Sequence, residues 1–312
     1  MTQTKKVIIT GGAGFIGSAV SAALQTCGHD IYVIDNLSFG RRELLAIPDR
    51  HFFEIDILDR LELSRVVSQI SPDWIVHLAA IHFIPYCNQH PVEAARVNIQ
   101  GTMNVLDAAK NVPNLEKVFF ASTAAVYPIY DGAISETHPP APTDIYGLSK
   151  LTGERLMNEF HLLTSVPTIV CRFFNAFGPN ETNAHVIPEI QRQINTGCRT
   201  IQLGNLDPKR DFIHTYDMAS AIVKLLASFD RGMEIFNLGR GIEYSVTEVV
   251  TAFEQALAEK IVIEVDPARV RKVERLHLLA DITKLKKFID WEPKISLKQG
   301  ISTLIERQPI PK

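Results

Sequence analysis

The feature that most constrains this chain is the run over residues 7–17, which reads Val-Ile-Ile-Thr-Gly-Gly-Ala-Gly-Phe-Ile-Gly. Its β-branched half is typical of a buried parallel strand, which we expect over residues 5–10. The following apolar residues have helical spacing and predict a helix over 15–27. The glycines fit two overlapping spacings, Gly12, Gly14 and Gly17 or Gly11, Gly14 and Gly17. Either spacing permits a tight turn in which backbone N–H groups at the helix start hold a pyrophosphate.

A second apolar strand, predicted over residues 31–34, ends at Asp35. In a dinucleotide-binding unit, a carboxylate at this place binds the ribose hydroxyls of the adenosine half. Because the same carboxylate repels a 2′-phosphate, Asp35 predicts NAD as the cofactor in preference to NADP. Arg41 and Arg42 follow closely, and we interpret them as part of a solvated loop.

Composition excludes several classes of function. The chain has 312 residues, of which 46% are apolar, so it buries a large core and is neither disordered nor fibrous. Its net charge is −3 with both signs interspersed, which argues against nucleic acid or a membrane surface as a partner. No apolar run approaches the roughly 18 residues of a membrane span, and we expect a cytoplasmic protein. The four cysteines are widely spaced, and we predict no metal site and no disulfide.

Strands and helices alternate through the first half of the chain. Further strands are predicted over residues 52–55, 74–78, 118–121 and 168–173, and helices over 61–70, 91–110 and 146–163. This alternation predicts an α/β fold with a doubly wound parallel Rossmann sheet, whose ligands lie beyond the carboxyl ends of the strands.

The remainder of the chain has shorter apolar runs, which predict helices over residues 186–195, 218–229, 246–257 and 297–306 and strands over 200–203 and 261–265. We interpret these segments as a smaller C-terminal α/β lobe that binds substrate and is partly interleaved with the last strands of the sheet. We expect an NAD-binding domain of residues 1–174 plus about 212–240. The substrate lobe then comprises residues 175–211 and 241–312.

Three side chains near the predicted strand ends suggest acid–base chemistry. Tyr146 and Lys150 are four residues apart on one helix and share a face. A phenol has a pKa of about 10 in water, but an ammonium and a positive nicotinamide ring lower its pKa towards neutrality. Thr123, after the fifth strand, offers a hydroxyl to the same substrate oxygen. These three groups can remove a proton from a carbinol. His77, at the end of the fourth strand, is interpreted as a core histidine.

Several further motifs occur in a fixed order along the chain. They are residues 10–17, Asp35-Asn36, Asp56-Ile57, residues 77–80 (His-Leu-Ala-Ala), Asn98, Ser122-Thr123, Tyr146 with Lys150, residues 172–179 (Arg-Phe-Phe-Asn-Ala-Phe-Gly-Pro) and residues 210–214 (Arg-Asp-Phe-Ile-His). In these motifs the chain resembles the extended short-chain dehydrogenases/reductases of the NAD-dependent nucleotide-sugar epimerase/dehydratase family. The resemblance covers essentially the whole length.

The resemblance implies two overlapping sets of binding residues. The NAD set is Gly11, Gly14, Phe15, Ile16, Gly17, Asp35, Asn36, Asp56, Ile57, Leu78, Ala79, Ala80, His82, Tyr146, Lys150 and Phe174. The set for a nucleotide-diphosphate sugar is His82, Thr123, Tyr146, Asn175, Val186, Gln202, Arg210, Arg271 and Glu274. Asp56 is implied to hold the adenine amine, Phe174 to lie by the nicotinamide, and Arg210 and Arg271 to contact the diphosphate. Glu274 falls where the family keeps an acid for the nucleotide ribose.

The residues after Thr123 bear on the reaction. Family members that are 4,6-dehydratases carry acidic residues there to move the C5 and C6 protons, whereas this chain has Ala124 and Ala125. Elimination of water then has no evident acid–base catalyst. Inversion at C4 by transient oxidation and re-reduction needs none, so the resemblance favours a UDP-hexose or GDP-hexose 4-epimerase.

Three alternatives stay open at this point. The first is a dehydratase, in which His82 or Tyr86 would replace the missing acid. The run over residues 204–211 looks like that of GDP-mannose 4,6-dehydratases, so the base of the nucleotide is also undecided. A 3,5-epimerase is a weaker alternative, because Tyr127-Pro128 matches but the cysteine of that motif is missing. The third is an NAD-binding regulatory protein without turnover. By resemblance, we also expect a homodimer in which the helices over 91–110 and 146–163 form a four-helix bundle.

Overall fold

A computed structural model describes residues 3–181, 183–270 and 275–306 of the chain. Its strands are β1 Lys6–Thr10, β2 Asp30–Asp35, β3 Phe52–Glu54, β4 Trp74–His77, β5 Lys117–Thr123, β6 Ala133–Ile134, β7 Thr168–Phe173, β8 Asn175–Phe177, β9 Thr200–Leu203, β10 Lys209–His214, β11 Met233–Leu238, β12 Glu243–Ser245, β13 Val262–Val265 and β14 Leu279–Ala280. Its α-helices are α1 Phe15–Thr26, α2 Arg60–Ile70, α3 Ile84–Gln89, α4 Pro91–Ala95, α5 Gly101–Ala109, α6 Ile145–Thr164, α7 Val186–Asn195, α8 Thr215–Ser228, α9 Val246–Leu257, α10 Thr283–Ile289 and α11 Leu297–Glu306.

A parallel sheet of seven strands forms the centre of the molecule, in the order β11-β7-β5-β4-β1-β2-β3. The strand order reverses at β1, because β2 and β3 lie on one side of it while β4, β5, β7 and β11 follow on the other. A doubly wound sheet opens a crevice at such a reversal. The predicted α/β Rossmann class is confirmed, and the carboxyl ends of β1 and β4 mark the place of the site.

Helices cover both faces of this sheet. Successive residues of a strand point to opposite faces, so Ile9 packs in the cluster that holds α1 and α8, and Ile8 in the cluster that holds α2 and α5. Both side chains are fully buried. Each such burial stabilises the fold by about 1.5–3 kcal/mol, which is why these strands read as continuous apolar runs.

The structure differs from the sequence expectation in two elements of this layer. The strand β11, at one edge of the sheet, was not among the predicted strands, because Glu234 and Asn237 interrupt its apolar run. Asn237 is fully buried, and its amide donates to the Ile134 carbonyl at 2.7 Å. The helix predicted over 91–110 is present, but a π-helical segment, Arg96–Gln100, separates α4 from α5.

The smaller strands lie beyond the central sheet with α7, α9 and α11. They form a three-stranded sheet, β12-β10-β8, and the pairs β13-β9 and β14-β6. A separate apolar cluster packs here around Phe177, Ile190, Phe253 and Ile301. The division into two domains stays a prediction. Among the described helices, none is both long and apolar enough to cross a membrane.

Candidate active site

A cleft of about 1760 Å³ lies along the carboxyl ends of the central strands and continues past the start of α7 and β10. The predicted residues that line it are Gly11, Gly14, Phe15, Ile16, Gly17, Asp35, Asn36, Asp56, Ile57, Leu78, Ala79, Ala80, His82, Thr123, Tyr146, Lys150, Phe174, Asn175, Val186 and Arg210. Gln202 does not line it, and its side-chain amide donates to Glu264 on the neighbouring β13. Arg271 and Glu274 lie outside the described residues. The structure therefore gathers most of the predicted residues around one cavity.

The glycine turn joins β1 to α1 with very little space for side chains. Gly11 has a φ of +72°, and a Cβ there would lie 2.7 Å from the backbone nitrogen of Ala79. A Cβ on Gly17 would collide with the Gly11 carbonyl oxygen and lie 2.7 Å from the Gly12 Cα. Only glycine fits these two positions, which brings the helix start close to the strand. The N–H groups of the first turn of α1 point out of the helix and can bind an anion.

Asp35 closes this turn from the end of β2. Its carboxylate accepts hydrogen bonds from the N–H groups of Ala13 at 3.0 Å and Leu37 at 2.9 Å. Burial raises the pKa of Asp35, and the two backbone N–H donors oppose that rise. Nearby, Asn36 donates from its side chain to Asp56 at 3.0 Å. The predicted ribose and adenine ligands thus lie at one end of the cleft and are fixed by local hydrogen bonds.

Thr123, Tyr146 and Lys150 face the cleft beyond β5. Thr123 is the last residue of β5, and its hydroxyl accepts the N–H of Ala125 at 3.1 Å. Tyr146 and Lys150 are one turn apart near the start of α6, and the Lys150 ammonium lies 4.8 Å from the centre of the Phe120 ring. The predicted acid–base group is therefore brought together in space.

Burial dominates the electrostatics of this group. It raises the pKa of Tyr146, and a side-chain hydrogen bond with Thr123 partly opposes the rise. Burial also lowers the pKa of Lys150 to about 7. Burial thus favours the neutral form of both side chains, and the lowering of the Tyr146 pKa by Lys150 together with a nicotinamide ring stays a prediction.

The start of α6 is held against β5 by a cap and by close packing. Asp144 is the N-cap, and its carboxylate accepts the N–H of Gly147 at 2.7 Å. A Cβ on Gly147 would collide with the Ala125 carbonyl oxygen, and one on Gly153 with the Phe120 ring. Without side chains at these two positions, α6 approaches β5 closely enough for Tyr146 to reach Thr123.

Asn98 ties the loop after β4 to α6. Its carbonyl oxygen accepts the N–H of Ile81 at 2.8 Å, and its amide donates to the Ile81 carbonyl at 2.9 Å and to Ser149 Oγ at 3.0 Å. Asn98 is 1% exposed and lies in the π-helical segment, a distortion often found at functional sites. Asn98 is one of the motif residues on which the resemblance rests, but the sequence alone indicates no role for it.

The histidines and the tyrosine at the end of β4 and in the segment after it have different environments. His77, the last residue of β4, is 1% exposed. Its Nδ1 lies 2.7 Å from Thr10 Oγ1 and its Nε2 lies 3.0 Å from Thr102 Oγ1, so both ring nitrogens have partners in the core, as interpreted from the sequence. Burial lowers the pKa of His82 to about 4, which keeps its ring neutral near pH 7. Tyr86 donates to Glu93 at 3.0 Å, and this bond raises the pKa of its phenol.

The far end of the cleft carries Arg210 and a second arginine that sequence analysis missed. Arg210 donates to the carbonyl oxygen of Arg275 at 2.7 Å, and both side chains line the cavity. The Arg275 guanidinium donates to the Tyr127 carbonyl at 2.9 Å, and burial and Arg210 lower its pKa. Two adjacent guanidinium groups are suited to a diphosphate. The basic character of residues 269–275 was the only sequence signal for Arg275.

A buried ion pair lies beneath the site. Arg172 and Glu154 form two hydrogen bonds, of 2.9 and 2.7 Å, and both side chains are 3% exposed. Ser122 donates to the same carboxylate, and Arg172 lies over the Tyr127 ring. This network connects β7, α6 and the end of β5. Arg172 belongs to one of the sequence motifs, but nothing in the sequence pairs it with Glu154, which lies on a different element.

Comparisons with known proteins agree with this arrangement. Residues 7–239 match the NAD dependent epimerase/dehydratase family. The UDP-glucose 4-epimerase of Corynebacterium glutamicum is 34% identical over 307 residues, which cover 93% of this chain and 91% of that protein. The solved structure of the Thermotoga maritima UDP-glucose 4-epimerase with UDP-glucose has a TM-score of 0.88 at 28% identity, covering 96% of this chain and 97% of that one. The Thermus thermophilus UDP-glucose 4-epimerase in complex with NAD has a TM-score of 0.87 at 28% identity, covering 96% and 98%.

Proposed function

Because the chain belongs to the NAD dependent epimerase/dehydratase family, we propose that it is an isomerase that inverts C4 of a nucleotide-diphosphate sugar. The sugar is oxidised at C4 and then reduced again from its opposite face. The observation that carries this proposal is the meeting of Thr123, Tyr146 and Lys150 in the cleft that also holds the glycine turn. The curated relatives named UDP-glucose 4-epimerase favour a UDP-hexose over a GDP-hexose.

The residues of the glycine turn fit NAD as the cofactor. A Cβ at Gly17 would fill the space between α1 and the turn, one at Gly11 would collide with the backbone of Ala79, and the first-turn N–H groups of α1 suit a pyrophosphate. Asp35 would bind the adenosine ribose and Asp56 the adenine, with Phe174 at the nicotinamide end. When bound, NAD⁺ supplies a hydride acceptor and a positive charge near Tyr146.

In this proposal Tyr146 is the acid–base residue. It takes the proton from the C4 hydroxyl as the sugar is oxidised, and later returns a proton to the oxygen of the inverted centre. Thr123 holds the same oxygen through its hydroxyl. Lys150 stabilises the phenolate by its charge, which counteracts the pKa rise that burial imposes on Tyr146.

The residues that follow Thr123 support epimerisation over dehydration. Ala124 and Ala125 line the cleft directly beside Thr123, where a dehydratase would need an acid and a base. Of the two replacement candidates, burial lowers the pKa of His82 to about 4, and the hydrogen bond of Tyr86 to Glu93 raises the pKa of its phenol. Both follow β4 in the chain and not β5, so neither stands at the positions after Thr123 where the family's dehydratases carry their acids.

Arg210, Asn175 and Val186 are proposed to hold the nucleotide sugar, with Arg275 beside Arg210 at the diphosphate. Arg271 and Glu274 keep their predicted phosphate and ribose roles as proposals. Gln202 keeps its predicted role only if its hydrogen bond to Glu264 is exchanged for one to the ligand.

A panel of UDP-, GDP-, CDP- and dTDP-hexoses, incubated with the NAD-loaded protein in deuterated water, tests the reaction. We expect proton NMR and mass spectrometry to show a C4 epimer of unchanged mass, with no solvent deuterium on carbon. Loss of one water with deuterium at C5 or C6 would indicate a dehydratase. Exchange at C3 and C5 would indicate a 3,5-epimerase, and NAD binding without turnover a regulatory protein. Tyr146→Phe serves as the matched inactive control.

We also propose a homodimer in which α6 and the helix of residues 91–110, made up of α4, the π-helical segment and α5, pair with their copies in a four-helix bundle. Met103 on α5 is 52% exposed and Leu148 on α6 is 50% exposed, which leaves apolar surface on both helices. Light scattering on the eluted protein should give twice the 34.9 kDa of one chain. Met103→Glu with Leu148→Glu should give the single-chain mass, whereas Leu61→Glu, at an 82% exposed residue of α2, should not. A single-chain mass for the unaltered protein would refute the dimer.

Location in the cytoplasm stays a prediction.

A further inference from the structure

Three side chains with metal-binding atoms meet in the cleft, apart from the acid–base group. His82 lies in the loop between β4 and α3, and Glu181 and His185 lie in the loop between β8 and α7. One ligand atom of each residue lies within 4.8 Å of one ligand atom of both others. Two imidazoles and a carboxylate from two separate loops thus converge on a single point.

The hydrogen bonding of His82 suits metal binding. Its Nε2 accepts a hydrogen bond from the side-chain amide of Asn183 at 3.1 Å. This ring nitrogen therefore carries a lone pair directed towards the loop that holds Glu181 and His185, and a lone pair on the imidazole is what binds a metal ion.

From this juxtaposition we propose that His82, Glu181 and His185 form a binding site for a divalent transition-metal ion of the Zn²⁺ class. Two histidines and one carboxylate are a donor set that binds Zn²⁺ with its fourth position open. All three residues line the cleft, so the open position faces its interior. The donor set does not suit Mg²⁺ or Ca²⁺, which prefer oxygen ligands.

Formation of the site would bring the three side chains closer together. Ligand atoms in a tetrahedral zinc site are about 3.3 Å apart, as follows from metal–ligand distances of about 2.0–2.1 Å. The ion would therefore compete with Asn183, which donates to His82 Nε2 at 3.1 Å and to Glu181 Oε1 at 3.0 and 3.4 Å. The bound ion would link the loop between β4 and α3 to the loop between β8 and α7. It would therefore raise the midpoint of thermal unfolding in proportion to its affinity.

The site shares His82 with the predicted NAD and sugar sets, and it departs from the sequence expectation of no metal. Because metal uptake is measured without substrate, its test does not depend on the proposed reaction. A direct test is a titration of the full-length, tag-free, chelator-treated protein with Co²⁺, followed by its visible absorption, and then displacement by Zn²⁺. We expect one ion per chain with a four- or five-coordinate spectrum, and a rise in the thermal midpoint with Zn²⁺. Glu181→Gln and His185→Ala should each weaken Co²⁺ binding by at least about 100-fold, since even outer-shell changes cost about 10–100-fold.

His277→Ala is the matched control, because His277 lies 2.7 Å from Glu243 in a histidine–carboxylate pair that has no described third ligand. It should leave Co²⁺ binding unchanged. Glu181→Gln preserves the size of the side chain and decides the matter if His185→Ala fails to fold. The proposal is overturned if the protein takes up no Co²⁺, or if Glu181→Gln binds it as tightly as the unaltered chain.

Discussion

Replacing Lys150 by Met should make the protein more stable, and the gain should disappear as the pH rises. Lys150 is 3% exposed, and burial lowers its pKa from the ordinary 10.5 to about 7. At or below about pH 7 both folded and unfolded chains carry its charge, so the folded state bears the full cost of the buried ammonium. Between pH 7 and 10.5 the unfolded chain binds more protons than the folded one, and stability therefore rises with pH.

The size of the effect follows from the two pKa values. Each pH unit in this window is worth about 1.4 kcal/mol, so the whole window is worth about 5 kcal/mol. Met fills a similar volume without charge and has no such dependence. Urea denaturation of cofactor-free protein should show the advantage of Lys150→Met falling by roughly 3 kcal/mol between about pH 7.5 and about pH 9.5.

A matched control is Lys110→Met, which removes an exposed ammonium just after α5. Its effect should stay within about 0.5 kcal/mol at every pH. If the difference between Lys150→Met and the unaltered chain is constant with pH, or grows as the pH rises, the assignment of a lowered pKa to Lys150 is refuted.

Three further changes test other parts of the site. Gly17→Ala places a Cβ against the Gly11 carbonyl oxygen. The affinity for NAD, measured by calorimetry, should therefore fall by at least about 100-fold, or about 2.8 kcal/mol. An unchanged affinity would contradict the close packing of the glycine turn. Glu154→Gln leaves the Arg172 charge buried without its partner, so the free energy of unfolding measured with urea should fall by about 3–5 kcal/mol. The double change Glu154→Met with Arg172→Met should recover most of that loss. A loss below about 1 kcal/mol would mean that the pair is not strongly coupled. Asp35→Asn removes the charge that repels a 2′-phosphate. Fluorescence titration should then show the ratio of NADP affinity to NAD affinity rising at least about 10-fold. An unchanged ratio would mean that other residues set the preference for NAD.

The parts of the site that depend on local patterns could be predicted from the sequence. The glycine turn, Asp35 and the Tyr146–Lys150 pair each occupy one turn or one strand end, and the parallel alternation places all of them at the same sheet edge. Thr123 followed from its place after a buried strand. These predictions needed no knowledge of long-range contacts.

The remaining features depend on contacts between distant segments. No sequence pattern pairs Glu154 with Arg172. Asn237 interrupts the apolar pattern of β11, although in the fold its buried amide is hydrogen-bonded to the Ile134 carbonyl. Arg275 is held at the cleft by contacts with the distant residues Arg210 and Tyr127. Burial also sets the pKa values of Tyr146 and Lys150, and the depth of a side chain is fixed by packing that a spacing of four residues does not specify.

The central claim is that C4 is oxidised and then reduced with the same hydrogen atom. The most direct test is to supply the nucleotide sugar identified by the panel with deuterium at C4, in ordinary water, and to follow the label by NMR. We expect the inverted product to retain the deuterium at C4, because the hydrogen never exchanges with solvent during the reaction. Product that carries hydrogen at C4 would mean that inversion proceeds by proton exchange with water, and would contradict the account.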